Sequence, residues 1–133
     1  MISKYLIAIF LASFSLFSQI NDSAIQQKVL SNNITDSLYV FGKWSDTGKT
    51  ETHLKFLGII KGNHRSYKII TSTWFWGLSK RATNKILIFN ENNKFMGFYY
   101  VTTTSDLPDK IENNQLVFLP TRNDNCNKTT NIS

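Results

Sequence analysis

ATNKILIFNENNKFMGFYYVTTT, residues 82–104, decides the fold. Two runs rich in β-branched and aromatic residues flank the polar break Glu91-Asn92-Asn93-Lys94. Runs of five to ten such residues, broken by Asn and Gly, mark consecutive antiparallel strands. Asn93 can adopt the left-handed conformation that closes a bulged hairpin loop, because its short polar side chain tolerates positive φ.

The same grammar extends in both directions. SLYVFGKW (37–44), ETHLKFLGII (51–60) and SYKIITSTWFW (66–76) precede the stretch, and DKIE (109–112) and QLVFLP (115–120) follow it. Gly62-Asn63 is expected to supply positive φ in one turn and Asn113-Asn114 to make a two-residue primed turn. Pro108 and Pro120 fall at segment ends, where a missing N–H does least harm. No helical stretch long enough for a parallel crossover intervenes, so neighbouring strands should pair in order. The expected fold is all-β and mainly antiparallel: a meander of about six to seven strands, curled into a partly closed barrel or a sandwich.

Alternation places Leu54, Phe56, Gly58 and Ile60 on one face and His53, Lys55, Leu57 and Ile59 on the other. Phe95, Gly97, Tyr99 and Val101 share a face, opposite Met96, Phe98 and Tyr100. Apolar residues on both faces imply that something covers each side. A closing barrel with a helix across one mouth meets that need, with Gly42, Gly58 and Gly97 as bend points. The helix is expected over 23–31. Ser23 and Gln26 have capping-box spacing, Ile25, Val29 and Leu30 share a side, and Ser31-Asn32-Asn33 ends it.

The amino-terminal end has a different character. Lys4 precedes an uncharged, mostly apolar run from Tyr5 to Phe17, and Ser18 offers a small residue before a cleavage point. This is the layout of a secretory signal peptide, and the run is short against the roughly 20 apolar residues of a spanning helix. An uncleaved anchor is the rival. The expected organisation is a signal peptide over 1–18, a helix and linker over 19–36, one β-domain over 37–120 and an unstructured polar tail over 121–133. The expected location is exported, periplasmic or secreted. The single cysteine, Cys126, cannot form a disulfide within the chain, so packing must hold the fold. Four glycosylation sequons, at Asn21, Asn33, Asn127 and Asn131, are about what composition gives by chance.

The chain has 15 Lys and Arg against 9 Asp and Glu, a net charge of +6. From Lys43 to Lys85, nine basic residues face two acidic ones, Asp46 and Glu51. Such an excess suits anionic partners, or simply a solvated sheet surface.

Gly48-Lys49-Thr50 has the ending of a phosphate-binding loop. The motif's first Gly should stand at position 43, which is Lys43, and a helix should follow where THLKFLGII reads as a strand. A hairpin turn fits instead: Trp44 ends one strand, Asp46 to Lys49 reverses the chain, and Gly48 takes a left-handed conformation. No nucleotide and no cofactor is expected. His53 and His64 lack the converging ligands of a metal centre. No nucleophile elbow is present, and no acidic pair is marked by its context for glycoside cleavage.

Thr73-Trp74-Phe75-Trp76-Gly77-Leu78-Ser79-Lys80-Arg81 is the strongest candidate surface. In a strand, Trp74 and Trp76 point one way and Phe75 the other, towards the core. Two indoles followed by two cations can stack on rings and hold anionic groups, although in a domain this small Trp is more often a core residue. Trp74, Trp76, Lys80 and Arg81 are therefore the candidate binding residues. The expected function is a non-enzymatic domain that binds an envelope or extracellular protein, or an anionic glycan or lipid surface. Nucleic acid is less favoured. One alternative is a carrier enclosing an apolar ligand among Tyr39, Phe41, Phe56, Phe98 and Tyr100. Another is an extracytoplasmic hydrolase joining His53 or His64 to Ser, Asp or Glu.

Overall fold

The computed structural model describes residues 22–120 and 130–132. The signal-peptide segment, Cys126 and the sequons at Asn21 and Asn127 lie outside the described residues. A helix, α1, covers 22–32. A five-stranded antiparallel sheet follows, made of β1 (Leu38–Gly42), β2 (Glu51–Lys61), β3 (Ser66–Trp76), β4 (Arg81–Asn90) and β5 (Phe95–Val101). Its strands pair in chain order. After a 3-10 turn at Thr104–Asp106, a second antiparallel sheet forms from β6 (Lys110–Glu112), β7 (Gln115–Phe118) and β8 (Thr130–Ile132).

The chain is mainly β, and among the described residues no closed barrel forms. β1 and β5 remain at opposite edges of the first sheet. The 3-10 turn, and Pro108 with its missing N–H, interrupt the ladder after β5, and the next strands build their own sheet. Within the tail read as unstructured, Thr130–Ile132 instead pairs with β7.

Each face of the large sheet has its own cover. On one side α1 brings Val29 and Leu30 against Leu54, Phe56, Ile70, Leu87 and Phe89. The helix therefore lies across a sheet face, not a barrel mouth. Tyr39 and Phe41, expected to wall a cavity with Phe56, pack against this cluster. On the other side Leu57, Ile69 and Ile86 meet Leu107, Ile111, Leu116 and Phe118. Each fully buried Phe, Leu, Ile or Val contributes about 1.5–3 kcal/mol relative to exposure, so these two layers stabilise the fold without a disulfide.

Strict alternation fails at two bulges. Phe56 pairs with Ile70 but Gly58 with Ile69, so Leu57 is the additional residue. Gly58 has φ +126, which L side chains rarely adopt. Beyond it Ile60 leaves the face of Leu54 and packs with Leu57. In β5, Gly97 pairs with Ile88 but Phe95 with Phe89, which makes Met96 the additional residue. Phe95 thereby joins Phe98, its ring stacked at 6.4 Å.

The turns follow side-chain chemistry. Asn93 has φ 64, and Asn90 Oδ1 accepts from the Asn92 and Lys94 backbone N–H groups at 2.9 Å each. Asn113 and Asn114 have φ 53 and 63, the signature of a type I′ turn. Asn114 also holds the second sheet to the first: its Oδ1 accepts from the Lys61 N–H and its Nδ2 donates to the Lys61 carbonyl, both at 2.7 Å. Gly62 and Asn63 are absent from the positive-φ residues; a Gly62 N–H to Arg65 O bond at 2.7 Å closes that turn instead. The helix is described from residue 22, so Ser23 lies inside its first described turn rather than before it. Asn33, at φ 52, ends it.

Candidate functional site

Trp74 and Trp76 lie on the α1 face of β3, in register with Thr83 and Arg81 on β4. Their rings stack, with centroids 5.5 Å apart and an interplanar angle of 21°. Trp76 Nε1 donates to Thr83 Oγ1 at 2.9 Å. The Arg81 guanidinium sits 5.7 Å from the Trp76 ring centroid. Trp76 is half-buried, whereas Trp74 is 42% exposed. A shallow groove of about 180 Å³ separates Trp74, Thr83 and Lys85 from the first described turn of α1.

The aromatic–cationic pattern continues onto β5. Lys85 is in register with Tyr100. Its ammonium lies 4.7 Å from the Phe98 ring centroid and 5.4 Å from that of Tyr100. Tyr100 is 70% exposed. Three adjacent strands thus present indoles, two cations and two further rings on one side. Lys85, Phe98 and Tyr100 escaped the sequence-based site because cross-strand register, not chain proximity, brings them to the Trp pair. Phe98 belongs to this outer surface rather than to a cavity wall, whereas Tyr100, at the edge strand, also borders a cleft on the opposite face.

Lys80 does not belong to the group. The β3–β4 turn closes through a Lys80 N–H to Gly77 O bond at 3.3 Å, with Lys80 at φ 51. Its side chain turns to the opposite face, 5.4 Å from the Trp44 ring centroid and 5.3 Å from that of Phe75. The four candidate residues therefore divide into Trp74, Trp76 and Arg81 on one face and Lys80 on the other. Phe75 enters neither buried core cluster; it stands half-buried with its ring edge-on to His53 at 5.1 Å.

GKWSDTGKT, residues 42–50, is a connection between strands. β1 ends at Gly42, before Trp44. Trp44 folds back, its indole Nε1 donating to Gly77 O at 2.9 Å and its backbone N–H to Glu51 Oε1 at 3.1 Å. Gly48 has φ +104, and β2 follows rather than a helix.

Glu51 and His53 are hydrogen-bonded at 2.5 Å. The bond from His53, with that from the Trp44 N–H, holds the Glu51 carboxyl below its ordinary 4.5. His53 has Thr73 as its cross-strand partner, but the Thr73 hydroxyl donates to Asn84. This histidine–carboxylate pair therefore does not extend to that hydroxyl, the next link a Ser–His–Asp type of relay needs. His64 is exposed in the β2–β3 turn. Among the described residues no three His, Cys, Asp or Glu side chains converge as a metal site would require.

Comparison with protein-family models, curated proteins and solved structures returns no match.

Proposed function

We propose that this chain is a non-enzymatic, exported binding domain that takes an anionic glycan on the surface made by Trp74, Trp76, Arg81 and Lys85. The supporting observation is the exposed Trp74 ring, stacked on Trp76 and flanked on the next strand by Arg81 and Lys85. Sugar rings present C–H surfaces that pack on indoles, and carboxylate or sulfate groups pair with guanidinium and ammonium. The excess of basic residues between Lys43 and Lys85 strengthens attraction to a polyanion at long range. Export rests on the signal-peptide pattern of residues 1–18.

Affinity measurements with a sulfated polysaccharide test the reading. Binding is expected to weaken as salt rises, because exposed charges are screened. Trp74→Ala and the double variant Arg81→Gln/Lys85→Gln are each expected to weaken it about tenfold, the scale of a lost cation–ring or charge-assisted contact. Lys80→Gln, on the other face, is expected to leave it within about twofold. Equal losses from Lys80→Gln and the double variant would overturn the assignment. Preference for anionic vesicles over the glycan would reassign the surface to lipid headgroups.

A further inference from the structure

A second concave region lies on the face opposite Trp74 and Trp76. β6 and β7 cover that face only in part. Ile111 packs near Gly58, and the Asn114 clamp fastens the hairpin to the end of β2. Between β7 and strands β3 to β5 a cleft of about 810 Å³ remains. Its walls include Ile69, Ile86 and Ile88 from the large sheet, Tyr99 from β5 and Phe118 from β7. Small-molecule sites are apolar concavities of about 300–1,000 Å³ carrying a few placed polar groups. The cleft fits that description in size and lining.

Its charge is what selects a ligand. Among the described residues Asp106, in the 3-10 turn after β5, is the single ionisable acid or base lining the cleft apart from tyrosines. No Lys or Arg among the described residues lines it, although the chain carries a net charge of +6. Among the described residues no cation lies within ion-pair distance of Asp106. Thr103 Oγ1 donates to Asp106 Oδ2 at 2.6 Å, which holds the carboxylate in place and leaves Oδ1 to accept another bond.

We propose that this cleft binds a small cationic amphiphile, with an aliphatic body against the isoleucines and Phe118 and a protonated amine at Asp106. None of Trp74, Trp76, Arg81 and Lys85 lines this cleft, and Ile69 and Ile86 belong to the opposite sheet face from Ile70 and Leu87; Tyr100, on the edge strand, borders both regions. Burial of the alkyl chain supplies the affinity, and the carboxylate supplies the choice of headgroup.

Calorimetric titration of the full mature chain with decylamine, decanol and decanoate, each below its micelle concentration, tests the proposal. All three carry the same body. Decylamine is expected to bind saturably at one site and about two- to fivefold tighter than decanol, the scale of one solvent-accessible ion pair. Decanoate is expected to bind weakest. Asp106→Asn keeps the oxygen that accepts from Thr103 and should erase the difference between amine and alcohol. Ile88→Phe, which narrows the cleft at a half-buried position, should weaken all three probes, with circular dichroism used to verify that the variant is folded. Saturable binding by none of the probes overturns the site. Tightest binding by decanoate, or an amine preference that survives Asp106→Asn, overturns the headgroup assignment.

Discussion

Thr73 and Asn84 are partners in the β3–β4 register, and inside the protein the threonine hydroxyl donates to Asn84 Oδ1 at 2.9 Å. Asn84 is 2% exposed. The same oxygen accepts from Thr104 Oγ1 at 3.0 Å, which ties the 3-10 turn to the sheet. One amide thus satisfies two hydroxyls from different elements. Asn84→Leu removes the acceptor and leaves the buried Thr73 hydroxyl without it. The expected cost is about 2–3 kcal/mol in urea unfolding, the scale of stranding a buried polar group. Thr73→Val, which removes the donor with little change of shape, should cost less. Equal losses would show that shape, not hydrogen bonding, governs the site.

Asn114 has two separable roles, a left-handed turn and a double bond to Lys61. Asn114→Gly keeps access to positive φ but deletes the side-chain clamp. Global stability should fall by about 1 kcal/mol, as for partly solvated hydrogen bonds. Amide exchange in β6 and β7 should accelerate more than in β3, because the hairpin loses its fastening while the central strand keeps both neighbours. Uniform acceleration across both sheets would contradict this.

Gly58→Ala should destabilise through the backbone. A Cβ there would meet only ordinary contacts, with Thr35 Cγ2 at 3.7 Å and Ile111 Cδ1 at 3.8 Å, so space is available. The φ of +126 is the obstacle, and holding Ala in such a region costs about 1–3 kcal/mol. Deleting Leu57 as well would remove the bulge and leave Ile60 on its present face, but it would take the fully buried Leu57 side chain out of the second core layer. That double change is expected to unfold the domain rather than rescue Gly58→Ala. Chemical denaturation compares the two.

Glu51 gives a pH signature. Its folded-state pKa is lowered by the bond from His53 and by the Trp44 N–H, so the unfolded chain binds the proton first as pH falls. The stabilisation is therefore complete above the ordinary 4.5 and is lost as pH drops through the lowered folded value. Glu51→Gln should lower the Tm relative to the parent above 4.5, and the gap should narrow on the acid side. Thermal melts across that range check it. A gap that widens with acid would reverse the sign and remove the carboxylate from this role.

Strand order and turn chemistry were legible in the chain. Short connections leave consecutive strands little choice but to pair, and Asn93, Asn113 and Asn114 carry the residue type that tolerates positive φ. The two apolar faces were legible too, as was the need to cover both. Alternation was read correctly as far as Phe56 and failed at Ile60, because one additional residue at Leu57 changes the face of everything beyond it. Phe95 was misplaced for the same reason at Met96.

The candidate surface divides along similar lines. Period-two geometry alone put Trp74 and Trp76 together, since a strand allows no other arrangement. Lys80 follows them in sequence, yet a positive-φ turn residue has no strand alternation to obey, and its side chain lies against Trp44 and Phe75 instead. Lys85, Phe98 and Tyr100 reached the Trp face through register between separate strands. By itself the sequence determined local matters: strand periods, turn residues and an uneven distribution of charge. Only the tertiary structure decided that the meander stays open, that a helix and a hairpin cover its two faces, and that an apolar cleft with one carboxylate survives between the sheets. Those outcomes depend on how whole faces pack and where bulges shift them, and neither is written in any short window of residues.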